Sequence, residues 1–426
     1  MTTESAERHT GPRPPRAPGI DNTLSLLREG YRFIGRRCQN LGSDIFETRL
    51  LFQPVYCASG RDAAEFFYGG ERFGRKGALP PGVLHLLQDL GSVQQLEGTG
   101  HHHRKAMFLK ILGPEEVGAL TRQVELEWRN RLPRWQAAET VNLFDEMRLI
   151  LTRAAVIWAG LTLDEEDEKR RMHELSEMIE ATGSFGVRKL RALRLRRHCE
   201  DWARQVIRDI RSARLTVDAD APAAIIAHYD EDGGFHLPLD SAVVELLNLL
   251  RPTVAISHFI VFAAKALHEH PGLRDRVAGG GESELQSFAE EVRRTAPFFP
   301  FIGGRALRDL EWRGMHFPKG SWVLLDLYGT DHDPANWEEP DEFRPERFLQ
   351  RDKGPYSLVP QGAGDMQTAH RCPGEPATQA VLKTAVRILS ELSYELPEQD
   401  LSVDLSHIPA LPKSGVILSN VRPRFG

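Results

Sequence analysis

The stretch PQGAGDMQTAHRCPGEPATQAVLKTAVRILSEL, residues 360–392, decides how the rest of the chain is read. It carries Cys372 on a glycine-bearing loop that runs straight into a helical pattern. Backbone N–H groups at a helix start favour a thiolate over a thiol. Gly374 has no Cβ, so a flat group can lie close to the backbone there. Two readings fit these features. Cys372 is either a buried loop thiol beside a helix cap, or a thiolate that binds a metal.

Two other pieces lie upstream. In EEVRRTAP, Glu291 and Arg294 stand three apart on a helical pattern, so they share a face and can pair. PDEFRPERF supplies Pro345, Glu346, Arg347 and Phe348. In this order, and with HRCPGE, they resemble the Glu-x-x-Arg, Pro-Glu-Arg-Phe and cysteine-ligand motifs of the cytochrome P-450 superfamily. The resemblance implies a mainly α fold with minor antiparallel β. It places haem b between a long central helix and the cysteine loop, with Cys372 as the axial ligand of iron. It also implies that Arg347 closes Glu291 and Arg294 into a buried structural network. An axial thiolate donates electron density to iron and favours O–O cleavage. The loop departs from the usual pattern: Asp365 lies seven before the cysteine, and His370 stands where an arginine is common. For the haem propionates the resemblance points to His101, Arg104 and Lys105 in GHHHRKAMF, together with His370 or Arg371.

Bulk properties bound the rest. The chain has 426 residues and a net charge of −6, which gives no support to a nucleic-acid partner. Four cysteines, with no CxxC among them, do not make a disulfide framework. Residues 1–20 contain no apolar core and read as a disordered leader rather than a signal peptide. Residues 21–426 read as a single catalytic domain, since no Gly/Ser-rich linker divides them. The apolar run from Ile256 to Leu267 is too short to span a bilayer, so a cytoplasmic protein without a membrane span is expected.

DIFETRLLFQPVYCASG alternates as a hairpin would, the pattern from Thr99 to Arg214 is helical, and strand-like pieces return in the last third. The basic run RKLRALRLRRHCEDWARQVIRDIRSARL is read as a solvated helix face, with Leu190, Leu193, Leu195, Trp202, Val206 and Ile207 on its apolar stripe. His101 to His103 point in different directions on a helix and make a poor metal site.

LNLLRPTVAISHFIVFAAKALHEHP, residues 247–271, reads as a buried helix with Arg251 in its apolar middle. A buried guanidinium needs a partner. Charge burial alone leaves that partner open between a bound carboxylate and an acidic side chain of the protein. Pro252 disfavours helical geometry at Arg251 and is expected to turn it toward a pocket. No Asp or Glu lies between Leu246 and Leu267, so the acid–alcohol pair that delivers protons in most of the superfamily is missing.

RPTVAISHF is similar to the central helix of the bacterial fatty-acid peroxygenases, and the likeness covers most of residues 91–426. It implies a hydrogen-peroxide-dependent hydroxylase of long-chain fatty acids at the α or β carbon that needs no redox partner protein. Arg251 would anchor the substrate carboxylate, which then serves as the general acid–base, with Pro252 beside it. Gln94 matches a pocket position where Gln resembles the hydroxylating members and His the decarboxylating ones. Phe298, Phe299 and Phe301 are candidates to line the acyl channel. The alternatives are oxidative decarboxylation to terminal alkenes and a reductase-dependent monooxygenase.

Overall fold

The helix Leu239–Glu269 is apolar on all sides, and such a helix is stable only where other elements cover every face. In the computed structural model, which describes residues 12–87, 91–231, 234–349 and 354–424, that is its position. Helices Leu143–Trp158, Glu165–Glu180, Gly186–Arg211 and Glu375–Glu391 pack around it. Among the described residues it is the one helix long and apolar enough to cross a membrane, yet 89% of its most apolar window is buried in the protein. It is longer than the apolar run in the sequence suggests, and its composition serves the core.

The helix runs through Pro252 without a break. This corrects the expectation that Pro252 turns Arg251 out of helical geometry. Proline removes one backbone N–H and crowds one carbonyl, but here neighbours packed on every face hold the backbone helical.

The strands form small sheets at the edge of the helical body. The largest runs in the order Ile45–Leu50, Gln53–Ala58, Trp322–Asp326, Phe301–Ala306, Phe73–Gly74. Its hairpin pairs Ile45 with Ala58 and Leu50 with Gln53. One pairing, Val323 to Leu325 against Tyr56 to Ala58, is parallel, and the others in this sheet are antiparallel. A second sheet joins Leu392–Glu395, Ile417–Pro423 and Thr140–Asn142, which ties the end of the chain to the start of helix Leu143–Trp158.

Part of the expected leader is ordered. Ala17 N–H donates to Glu47 O at 2.9 Å, Glu47 N–H donates to Pro15 O at 2.8 Å, and Ala17 is buried. The edge of the hairpin offers free backbone groups, and residues 15–17 satisfy them; residues 1–11 lie outside the described residues. The stripe expected on the basic helix also needs correction. Ile207 is buried, and Leu193, Trp202 and Val206 pack on the core, but Leu190 is 68% exposed.

Candidate functional site

Cys372 sits in a tight loop just ahead of helix Glu375–Glu391. Its N–H donates to Gln361 O at 2.9 Å, and Glu375 N–H donates back to Cys372 O at 3.2 Å. Gly362 has φ +90°, and a Cβ there would meet Arg371 Cα and His370 O at 3.2 Å, so only glycine fits the fold-back. Burial pushes the Cys372 thiol up, while the Gly374 N–H, Lys105 and Arg293 favour its thiolate.

Two buried arginines of the helix Glu282–Thr295 have different partners, and one of them reaches the loop. Glu291 and Arg294 form a buried two-point pair, with Arg294 Nε and Nη2 each 2.8 Å from a Glu291 oxygen. Arg347 Nε adds a bond to Glu291 Oε1 at 3.1 Å. Arg294 also donates to Asp331 O and Pro340 O, so the whole group is saturated. Arg293 is the residue that touches the loop itself. Its Nη2 donates to Glu375 Oε1 at 2.6 Å and its Nε to Gln361 Oε1 at 3.1 Å. Sequence reasoning missed Arg293, although Glu290 stands three before it at the same spacing and accepts from its Nη1 at 2.5 Å.

Basic groups gather on the other side of the loop. The rings of His101 and His370 lie 4.0 Å apart. Lys105 Nζ donates to Arg371 O at 2.8 Å and also to Ala369 O. Arg75, which the sequence reading did not single out, is buried here, with its N–H on Glu97 Oε1 at 2.8 Å. Burial, and then the positive neighbours, push His101 down to about 3 and His370 down to about 2. Lys105 falls to about 8, chiefly by desolvation. His101 and His370 are therefore neutral near pH 7, and the charged groups of the cluster are Arg75 and Lys105, set against Glu97 and, beside Lys105, Asp365. Arg104 and Arg371 do not join it. Arg371 Nε is taken by Glu375 Oε2 at 2.6 Å. Arg104 turns to Gly91 O, Glu231 and Glu245 on the far side of the helix Gly98–Ile111. His102 and His103 point outward to Glu71 and Asp230.

The central helix contributes a buried polar chain. Arg251, only 3% exposed, donates to Leu86 O at 3.1 Å, to Leu87 O and to Asn248 Oδ1 at 2.8 Å. Asn248 Nδ2 reaches Gln94 Oε1 at 3.4 Å and Glu245 Oε2 at 2.9 Å. The other Glu245 oxygen accepts from Val93 N–H at 2.7 Å and from Arg104 at 3.3 Å. One fully buried carboxylate therefore ties the Gln94 turn, Arg104 and the residue that orients Arg251. Burial pushes the Glu245 carboxyl up, and Asn248, Arg104 and the Val93 N–H pull it back toward ionisation. Glu245 stands one residue before the acid-free segment that opens at Leu246. Glu245→Leu leaves Arg104 without this buried partner and frees Val93 N–H, so it should cost about 3–5 kcal/mol. A fall in the urea midpoint, together with weaker fatty-acid binding in spectral titration, checks this.

The three phenylalanines separate. Phe298 packs on His258 and Phe259 of the central helix, with ring centroids 5.0 and 5.5 Å away. Phe299 stacks on Phe298 at 4.3 Å. Phe301 packs instead with the apolar group around Phe33, Phe46 and Trp322, because it opens a strand whose side chains alternate between faces. The acyl-channel expectation is thus corrected for Phe301.

Comparison with known proteins now has a geometry to meet. The family pattern described as Cytochrome P450 matches residues 285–417, which hold both arginine pairs and the cysteine loop. The solved structure of cytochrome P450SP alpha (CYP152B1) in complex with (R)-ibuprophen is 43% identical, with a TM-score of 0.92, over 95% of this chain and 100% of that chain. The chain belongs to the cytochrome P450 family. Cytochrome P450EX alpha (CYP152N1), solved with myristic acid, is 37% identical at a TM-score of 0.94, covering 97% of this P450 and all of that chain. Abscisic acid 8'-hydroxylase 3 of Oryza sativa subsp. indica is 24% identical over 94% of this chain and 84% of its own length. The cofactor of this P450 is haem, whose iron takes a cysteine thiolate, and the protein is an oxidoreductase. The side chains fit that group. A buried thiol receives a backbone N–H from Gly374, no Cβ stands over Gly374, and the charged Arg75 and Lys105 suit the two propionates.

Proposed function

We propose that this P450 uses hydrogen peroxide to hydroxylate long-chain fatty acids at the α or β carbon. Arg251 anchors the carboxylate, and Cys372 is the iron ligand. The supporting observation is that Asn248 links Arg251 and Gln94 inside the core of the central helix. Two relatives were solved with carboxylic acids, myristic acid and (R)-ibuprophen.

Haem, when bound, supplies the oxidation chemistry. Arg251 binds the carboxylate through two parallel N–H donors by exchanging its present partners Leu86 O and Leu87 O for the acid, which fixes the orientation of the acid as well as its position. Its guanidinium stays charged throughout, so it holds the carboxylate ionised and able to take and return a proton. This supplies a carboxylate to a helix segment that has no Asp or Glu between Leu246 and Leu267. Asn248 keeps Arg251 in one rotamer. Gln94, neutral and next to it, is placed to contact the same end of the substrate. Fixing the acid group near the reacting centre limits attack to the nearest carbons. Phe298 and Phe299 support the apolar side. His101, His370, Lys105 and Arg75 hold the propionates, and Arg293 braces the cysteine loop beside the buried group of Glu291, Arg294 and Arg347.

Holoenzyme with hydrogen peroxide and fatty acids of graded length should yield 2- or 3-hydroxy acids. NAD(P)H with redox partner proteins should yield none without added peroxide. Terminal alkenes as main product would instead support decarboxylation, and turnover that needs the reductase would support a monooxygenase.

A further inference from the structure

The helix Gly186–Arg211 begins with a surface that the catalytic reading does not use. From Ala181 to Cys199 the chain has six Lys and Arg residues and no Asp or Glu, although the whole protein carries a net −6. At 3.6 residues per turn, Val187, Leu190, Arg191, Arg194 and Arg197 fall on one arc, with Arg188 at its edge. The opposite arc holds Ala192, Arg196 and Cys199, which are buried. On the outer arc Val187 is 83% exposed and Leu190 68%, and Phe185, just before the helix, is 64% exposed.

The charges on this arc are not neutralised within the protein. Among the described residues no carboxylate pairs with Arg188, Arg194 or Arg197, and Arg191 meets only the ring of His173. The neighbouring helix Glu165–Glu180 shows the ordinary pattern, with Lys169 on Glu165 and Arg170 on Glu166. A merely solvated face would have little reason to keep three large apolar side chains among unpaired arginines.

We propose that the first three turns of this helix, with Phe185, dock on the surface of an anionic phospholipid bilayer. Lipid phosphates meet the arginines, while Phe185, Val187 and Leu190 enter the acyl boundary. A nucleic acid would use the charges but not the apolar residues between them. The acidic balance of the rest of the chain makes the attraction local, so it orients the protein on the membrane. Under the proposed function this places the enzyme where long-chain fatty acids partition, but the docking does not depend on that reading.

Flotation of the holoenzyme with vesicles tests it without any turnover. Vesicles containing phosphatidylglycerol should carry the protein at low salt and release it at high salt. Pure phosphatidylcholine vesicles should not carry it. The triple variant Arg188→Ala/Arg194→Ala/Arg197→Ala should lose partitioning by roughly a hundred-fold. Val187→Ser/Leu190→Ser should lower the salt concentration at which the protein is released. All five positions are exposed or at the helix surface, so an unchanged reduced carbon monoxide spectrum serves as the folding control. Equal binding to neutral vesicles, or a triple variant that floats like the parent, overturns the proposal.

Discussion

Cys372→Ala abolishes the thiolate-type spectrum of the reduced carbon monoxide complex and all peroxide-driven turnover. Four cysteines are present, but their surroundings differ. Burial pushes Cys57 well up and Cys199 to about 12. Cys38 is also raised, by burial and then by Asp326. Cys372 is raised too, by burial and by Glu375, but among the four it alone receives a backbone N–H, from Gly374, with Lys105 and Arg293 beside it also favouring its thiolate. Metal binding selects the deprotonated form, so the site with the most support for that form takes the iron. Cys199→Ala is the matched control and should keep the spectrum. A thiolate-type spectrum that survives in Cys372→Ala would refute the ligand assignment, because the other sulfur in that loop, Met366, is a thioether and cannot form a thiolate.

Arg251→Leu keeps haem and the thiolate spectrum and loses fatty-acid turnover. Two charge-assisted hydrogen bonds are each worth about 1.5–3 kcal/mol, so kcat/KM should fall by roughly a hundred-fold or more. The loss should appear in kcat as well as KM, since the missing carboxylate anchor also removes the acid–base group from its place. Arg251→Lys keeps the charge but not the planar two-point geometry, and should recover only part of the rate with a broader product mixture. Full-rate hydroxylation by Arg251→Leu with peroxide would sink the anchor model. Arg251 lies two helical turns from the Phe298 contact at His258, so the substitution leaves the apolar packing there intact.

The motif residues were legible because their chemistry is local. Glu291 and Arg294 sit three apart on one helix, so spacing alone brings them together. The position of Cys372 before a helix could be read from glycine, proline and the apolar pattern that follows. The reach of Arg293 to the cysteine loop could not be read in this way, although its pairing with Glu290 has the same spacing. Its partners Gln361 and Glu375 stand about seventy and eighty residues away, and nothing in EEVRRTAP distinguishes it from Arg294. Arg104 shows the reverse failure. Its neighbours His101 and Lys105 do face the cysteine loop, yet the guanidinium points to Glu231 and Glu245. Side chains one residue apart on a helix diverge by about a quarter turn, and only the packed neighbours decide which one faces the site.

The amino-acid sequence by itself determined the family resemblance, the mainly helical class, the cysteine on its helix-opening loop and the buried arginine in a helix segment without acids. These rest on spacing, periodicity and composition, which act within a few turns of chain. Only the tertiary structure decided that the helix continues unbroken through Pro252, that Glu245 joins Gln94 and Arg104 to the Arg251 anchor, and that Leu190 faces outward among unpaired arginines. Each of these depends on which surfaces meet. A buried charge is tolerable only beside its partners, and an apolar side chain is covered only where another element arrives.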